Sequence, residues 1–179
     1  MKQNITLERS EMQIYRMNEA AELPQYATEG SACFDVKACF KHGDRLKSYN
    51  NWNKAQEIAV KGVGTERDAF QLPPDMRVLI PTGLIFDIPD KHVMKMFIRS
   101  SVALKRGLVL ANGTGIIDSD YVEEAYIVLV NETDSLVTIT NGERLAQCLV
   151  EKSLQVKITE AKTKPEATTR DGGFGSTGK

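Results

Sequence analysis

The chain has 179 residues and a formal net charge of −1, with 41% apolar and 26% charged side chains, the ordinary make-up of a globular domain in water. Mixed charge without a basic run argues against nucleic acid as a partner, and no apolar stretch approaches the length of a membrane span. Three cysteines (Cys33, Cys39, Cys148) and two distant histidines lack zinc spacing, and with no signal peptide ahead of them they point to a reducing, intracellular (cytoplasmic) setting.

Strand-like runs follow one another along the chain, at residues 12–17, 32–40, 77–80, 84–88, 93–98, 108–110, 125–130, 136–140, 144–150 and 154–159. Pro81-Thr82-Gly83, Pro89-Asp90, Asn112-Gly113 and Asn141-Gly142 supply turn chemistry between them. So many short strands without long helices predict an all-β fold, an antiparallel sandwich or barrel. Residues 41–68 are polar and poorly periodic and hold the only tryptophan, Trp52. They read as a surface insertion, partly helical around residues 52–60. A short helix is expected at residues 102–106. One domain over residues 1–160 is therefore expected, followed by a flexible linker and arm over residues 161–179, which have little to bury.

Four internal stretches and the tail carry chemistry. GSACFDV, residues 30–36, alternates so as to leave Asp35 inside a strand, where it needs a cationic partner or a metal-bound water. Arg99-Ser100-Ser101 precedes the short helix and offers donors to an anion, although a plain N-cap accounts for the same residues. NGTGIIDSDY, residues 112–121, is expected to be a hairpin between the runs at 108–110 and 125–130. Gly113 and Gly115 permit close backbone approach there, and Asp118 and Asp120 share a side if the chain is extended. Turn chemistry with solvated aspartates is the competing account. GERLAQ, residues 142–147, offers Arg144 as the cation for Asp35 and Gln147 as an amide donor. The tail, RDGGFGSTGK over residues 170–179, combines a lone ring with glycines, hydroxyls and two cations, equipment for closing over a phosphorylated, ring-bearing ligand. Its match to a P-loop at residues 173–179 fails, because no hydroxyl residue or helix follows the lysine.

In this order the stretches resemble the five motifs of the trimeric dUTP pyrophosphatases: GSACFDVKA (residues 30–38), RSSVALKRG (99–107), NGTGIIDSDY (112–121), GERLAQCLV (142–150) and RDGGFGSTG (170–178). PTGLIFDIP (81–89) also resembles the family's strand pair. The resemblance implies a distorted jelly-roll subunit, a homotrimer with shared sites, and hydrolysis of dUTP to dUMP and pyrophosphate with Mg²⁺ held mainly by the substrate phosphates. It implies that Asp118 activates the attacking water and that Asp35 holds water on the metal. Asn112, Gly115, Ile116 and Ile117 match the part that reads uracil, and Tyr121 the ring that excludes a ribose 2′-hydroxyl. Arg99, Ser100, Ser101 and Gln147 match phosphate contacts. In the tail, Phe174 matches the ring that stacks on the base, and Arg170, Gly175, Ser176 and Thr177 match further substrate contacts. Cys33, Ser101 and Glu123 stand at usual glycine positions, and the tail has one residue fewer between Arg170 and Phe174 than the commonest spacing. The related dCTP deaminases place an arginine where this chain has Leu104 and a catalytic glutamate where it has Val128; an apolar valine cannot shuttle a proton. A regulatory protein retaining only the nucleotide pocket is the alternative outside enzymes.

Overall fold

The computed structural model describes residues 11–62, 67–166 and 169. The first half of the chain forms β1 (Gln13–Arg16), β2 (Phe34–Lys37), β3 (Arg45–Tyr49), β4 (Ala55–Ala59), β5 (Lys61–Gly62), β6 (Asp68–Leu72), β7 (Arg77–Pro81) and β8 (Leu84–Asp87). The second half forms β9 (His92–Ile98), α1 (Ser100–Arg106), β10 (Leu108–Leu110), β11 (Gly115–Asp118), β12 (Tyr126–Asn131), β13 (Val137–Thr140) and β14 (Arg144–Lys152). A five-stranded sheet runs β10-β12-β7-β3-β4 and a four-stranded sheet runs β11-β9-β14-β2, with smaller sheets β1-β8 and β13-β6-β5. Every ladder is antiparallel.

Alternation explains the packing. In β12, Ile127 and Leu129 point inward; in β9, Met94 and Met96 do; in β2, Phe34 and Val36 do. These side chains meet Val78, Ile80, Leu108, Leu145 and Cys148 in one core, giving the two-sheet jelly roll expected of so many short strands. Each fully buried Leu or Ile contributes about 2 kcal/mol of burial. The predicted turns hold: Gly83, Gly113 and Gly142 adopt left-handed φ of 67°, 69° and 77°.

Three expectations are corrected. Residues 52–60 are not helical. β3 and β4 form a hairpin in register from Arg45↔Ala59 to Tyr49↔Ala55, and β3 joins β7 through Ser48↔Val78. Its turn is built by asparagines: the Asn50 side-chain oxygen accepts the N–H groups of Trp52 and Lys54, both at 3.0 Å, while Asn53 takes a left-handed φ of 58°. Asparagine competes for backbone groups in this way and so stops a helix from forming. Nor is the stretch merely a surface excursion, since Leu46 and Val60 are buried in the core. Second, residues 112–121 do not form a simple hairpin. β10 and β12 pair directly, and the chain between them crosses to the other sheet, where β11 pairs with β9. Third, residues 154–159 form no strand. The chain leaves the sheet at Ser153, whose N–H donates to the Lys91 carbonyl at 2.7 Å. Leu154, Val156 and Ile158 remain 88%, 68% and 93% exposed.

Candidate active site

The first cluster forms where β2 meets β14. Because Phe34 and Val36 face the core, Asp35 faces outward with its side chain only 19% exposed. Its Oδ1 receives Arg99 Nε at 3.0 Å, and its Oδ2 receives Arg144 Nη1 at 3.2 Å. The Arg144 partnership was expected from the sequence; that of Arg99 was not. Two guanidiniums on one carboxylate keep a net positive charge in place and hold both forks in fixed positions.

A β-bulge completes the cluster. Arg144 lies opposite Lys37 and Ala146 opposite Val36, so Leu145 is an extra residue in β14. Leu145 and Ala146 are therefore both buried, and Gln147 returns to the outer side opposite Asp35. Strict alternation cannot place residues three apart on one face, but a bulge can. Gln147 Nε2 donates to the Ile98 carbonyl at 3.3 Å, just before α1 begins.

Helix α1 starts at Ser100 with Arg99 as N-cap residue, and no side chain caps it. Ser100 and Ser101 thus lie within the first turn and are exposed, so the plain N-cap account of Ser100 does not apply. The helix is anchored at its other end, where Arg106 forms an ion pair with Glu143 and Gly107 closes it with a left-handed φ of 59°.

The second cluster is on β11. Gly115 sits over β9, where a Cβ would come within 3.1 Å of Met96 Cβ, so glycine permits this close ladder. Ile117 packs against the core while Ile116 and Asp118 face outward. As an edge strand, β11 leaves half of its backbone donors and acceptors directed away from the sheet. Asn112 lies in the preceding turn, closed by the Gly113 N–H donating to the Leu110 carbonyl at 2.9 Å. Tyr121 follows the strand; its N–H donates to the Asp118 carbonyl at 3.1 Å, and its hydroxyl donates to the Glu124 carbonyl at 2.9 Å.

These two clusters share the outer face of one sheet yet do not meet. Asp118 lies opposite Val93 on β9, whereas Gln147 lies opposite Phe97, a separation of about 13 Å along the strand. Asp35 is one strand further away, at the other edge. Each cluster borders its own cleft. One, of about 350 Å³, is lined by Asp35, Lys37, Arg144 and the 22–27 segment. The other, of about 820 Å³, is lined by Asp118, Ser119, Asp120, residues 90–92 and residues 153–155. Among the described residues, no group of three or more His, Cys, Asp or Glu side chains could hold a metal ion by itself. Arg170, Phe174, Gly175, Ser176 and Thr177 lie outside the described residues. Leu104 is an exposed helix residue, and Val128 sits mid-strand opposite Leu79. Neither borders a cleft described above.

Sequence reasoning missed Glu124. Its carboxylate accepts the Gly83 N–H at 2.6 Å and the Tyr126 hydroxyl, and that bond pushes the Tyr126 pKa up to about 12. Only its place three residues after Tyr121 hinted at a role. All three cysteines are unpaired, and burial raises the thiol pKa of Cys148 strongly.

Fold and site together define a jelly-roll protein with a cluster of two arginines, a carboxylate and an amide on one sheet face, and a separate carboxylate on an edge strand beside a tyrosine. The dUTPase family model matches residues 66–178. The chain is 33% identical over 165 residues to the deoxyuridine 5′-triphosphate nucleotidohydrolase of Hydrogenobaculum sp., covering 92% of this chain and 96% of the relative. It is 37% identical to the enzyme of that name from Desulfotalea psychrophila, covering 91% of each. In fold it is similar to a solved mutant of the dUTPase of Staphylococcus bacteriophage 80alpha with dUpNHpp, with a TM-score of 0.70, 19% identity and coverage of 94% and 98%. The chain belongs to the dUTPase family.

Proposed function

We propose that the chain hydrolyses dUTP to dUMP and pyrophosphate, as a homotrimer whose sites combine residues of different copies. Family membership supports the substrate and the assembly. The observation that carries the shared site is the separation of Asp118 from the Asp35–Arg99–Arg144–Gln147 cluster on one face of a single sheet. One copy of the chain offers each half of a site but not both halves together. Exposed Ile116, Val122, Leu154, Val156 and Ile158 supply apolar surface for burial between copies.

In this reading the edge of β11 and Asn112 recognise uracil, and Tyr121 lies against the deoxyribose. Arg99, Ser100, Ser101 and Gln147 bind the phosphates. Asp118 accepts a proton from water as its oxygen attacks the α-phosphorus, and the bond to the oxygen bridging the α- and β-phosphorus breaks to release pyrophosphate. The donor set suits an Mg²⁺ that arrives on the triphosphate, since this ion keeps several waters and takes few protein ligands. Asp35 has both oxygens engaged by arginines and retains lone pairs for a metal-bound water. Bound there, the ion would neutralise phosphate charge and polarise the scissile centre. By resemblance, Phe174, Arg170, Gly175, Ser176 and Thr177 form an arm over the bound nucleotide, with residues 1–160 as the domain it closes upon.

The test is a pyrophosphate-release assay with Mg²⁺ on dUTP, dTTP, dCTP and UTP. Release from dUTP alone is expected, and Asp118→Asn should still bind dUTP while losing at least about 10²-fold in kcat. Ammonia release from dCTP would support a deaminase instead, and binding of dUTP by the wild type without turnover would support a regulatory protein.

A further inference from the structure

We infer that Glu124 is a positioning residue that sets the height of the Tyr121 ring and thereby the discrimination between a deoxyribose and a ribose. The inference rests on the dUTPase reading above. Tyr121 is tied at both ends of a short turn: its N–H donates to the Asp118 carbonyl and its hydroxyl donates to the Glu124 carbonyl. The ring therefore braces the segment between β11 and β12, and its position follows wherever Glu124 is held.

Glu124 is held by its own carboxylate. Oε1 accepts the Gly83 N–H at 2.6 Å, and the Tyr126 hydroxyl donates to the same group. Gly83 is a firm anchor. Its φ is +67°, and a Cβ there would meet Ala21 Cβ at 2.8 Å and Cys39 Sγ at 3.0 Å, so the corner is both left-handed and crowded. Thr82, whose residue is 1% exposed, donates its hydroxyl to the Ala125 carbonyl at 2.6 Å and accepts the Leu84 N–H at 3.2 Å. The Ala125 N–H donates to the Leu84 carbonyl at 2.9 Å. The Thr82–Leu84 corner is thus stitched to residues 124 and 125, and Glu124 supplies the side-chain hydrogen bond from the 121–125 segment to it.

Excluding a 2′-hydroxyl needs a ring fixed to a fraction of an ångström, because the added group is one oxygen atom. Without the carboxylate, the Gly83 N–H loses its partner and Tyr126 is released, so the peptide carrying the Glu124 carbonyl is held to the corner through the Ala125 backbone alone and fixes the tyrosine hydroxyl less tightly. The ring can then withdraw and admit a ribose. Neighbouring Glu123 is exposed and has no such part.

The experiment measures kcat and KM for dUTP and UTP with wild type, Glu124→Ala, Glu124→Gln, Tyr121→Phe and Glu123→Ala. Glu124→Ala is expected to lower the dUTP-to-UTP ratio of kcat/KM about ten-fold or more, mostly through better use of UTP. Glu124→Gln keeps an oxygen for Gly83 and should recover most of the ratio, while Glu123→Ala should leave it unchanged. Tyr121→Phe removes only the braced hydroxyl and should lower the ratio even if Glu124→Ala does not fold. An unchanged ratio in folded Glu124→Ala, or in Tyr121→Phe, overturns the inference while wild-type turnover of dUTP leaves the proposed function standing. A wild type that does not hydrolyse dUTP overturns both.

Discussion

At the scale of single residues, Asp35 is the centre of the proposed anion-binding cluster. Among the described residues it is the only carboxylate paired with Arg99 and Arg144. Removing it leaves two guanidiniums facing each other across a partly enclosed surface. Both arginines retain access to water, so the penalty is moderated by screening. Asp35→Ala is expected to cost about 1–2 kcal/mol, read as a lower urea midpoint at unchanged slope, and to raise KM for dUTP as the two forks drift from their fixed positions. A variant as stable as wild type would show that the arginines need no carboxylate to stay ordered. The pairing with Arg144 was legible in the sequence, because a polar residue inside an alternating strand must find a partner. The pairing with Arg99 was not, since a residue read as part of a helix start gave no sign that its side chain turns back toward β2.

Elements carry the next lesson. The β3–β4 hairpin extends the five-stranded sheet, but Ser48, paired with Val78 of β7, is completely buried, and its hydroxyl has no hydrogen-bond partner among the described residues. A hydroxyl in that position costs desolvation without return. Ser48→Ala should therefore raise unfolding stability by about 1 kcal/mol, and a loss of stability would reveal a partner for the hydroxyl. This hairpin was misread because its alternation is carried by only a few apolar residues, Leu46 and Ile58 among them, amid lysines and asparagines. The strands bounded by Gly-containing turns, such as β7, β8 and β10, were legible within a residue or two. The bulge at Leu145 was hidden because period-two reasoning has no place for an extra residue. β11 was hidden for a different reason: four residues between an Asn-Gly turn and a Ser-Asp turn say nothing about which sheet they will join. The Leu154-Val156-Ile158 alternation was read as a strand, yet in one chain it has no ladder partner. Under the proposed homotrimer, these exposed apolar residues are available for burial against another copy.

For the whole molecule, the decisive question is whether one site needs two chains. Asp118 and Asp35 sit at opposite edges of the β11-β9-β14-β2 sheet, and no side-chain rearrangement closes a gap of about 13 Å along a strand. In a closed ring of identical copies, the β11 edge of one chain can face the β2–β14 face of the next, and every interface then repeats the same join. Complementation between two impaired variants, assayed at dUTP well below the raised KM of Asp35→Ala, tests this directly. Asp118→Asn lacks the proposed proton acceptor, and Asp35→Ala lacks the centre of the proposed anion-binding cluster. Co-expressed, the two form mixed assemblies in which some interfaces join an intact Asp118 from one chain to an intact Asp35 from its neighbour. Random mixing at equal amounts makes about a quarter of all sites whole, so roughly a quarter of wild-type activity should return where each variant alone has little. Light scattering should give three times the chain mass for the active mixture. If the mixture stays inactive while assembled, each chain must complete its own site, and the arrangement of the two clusters on one sheet would have to change on binding.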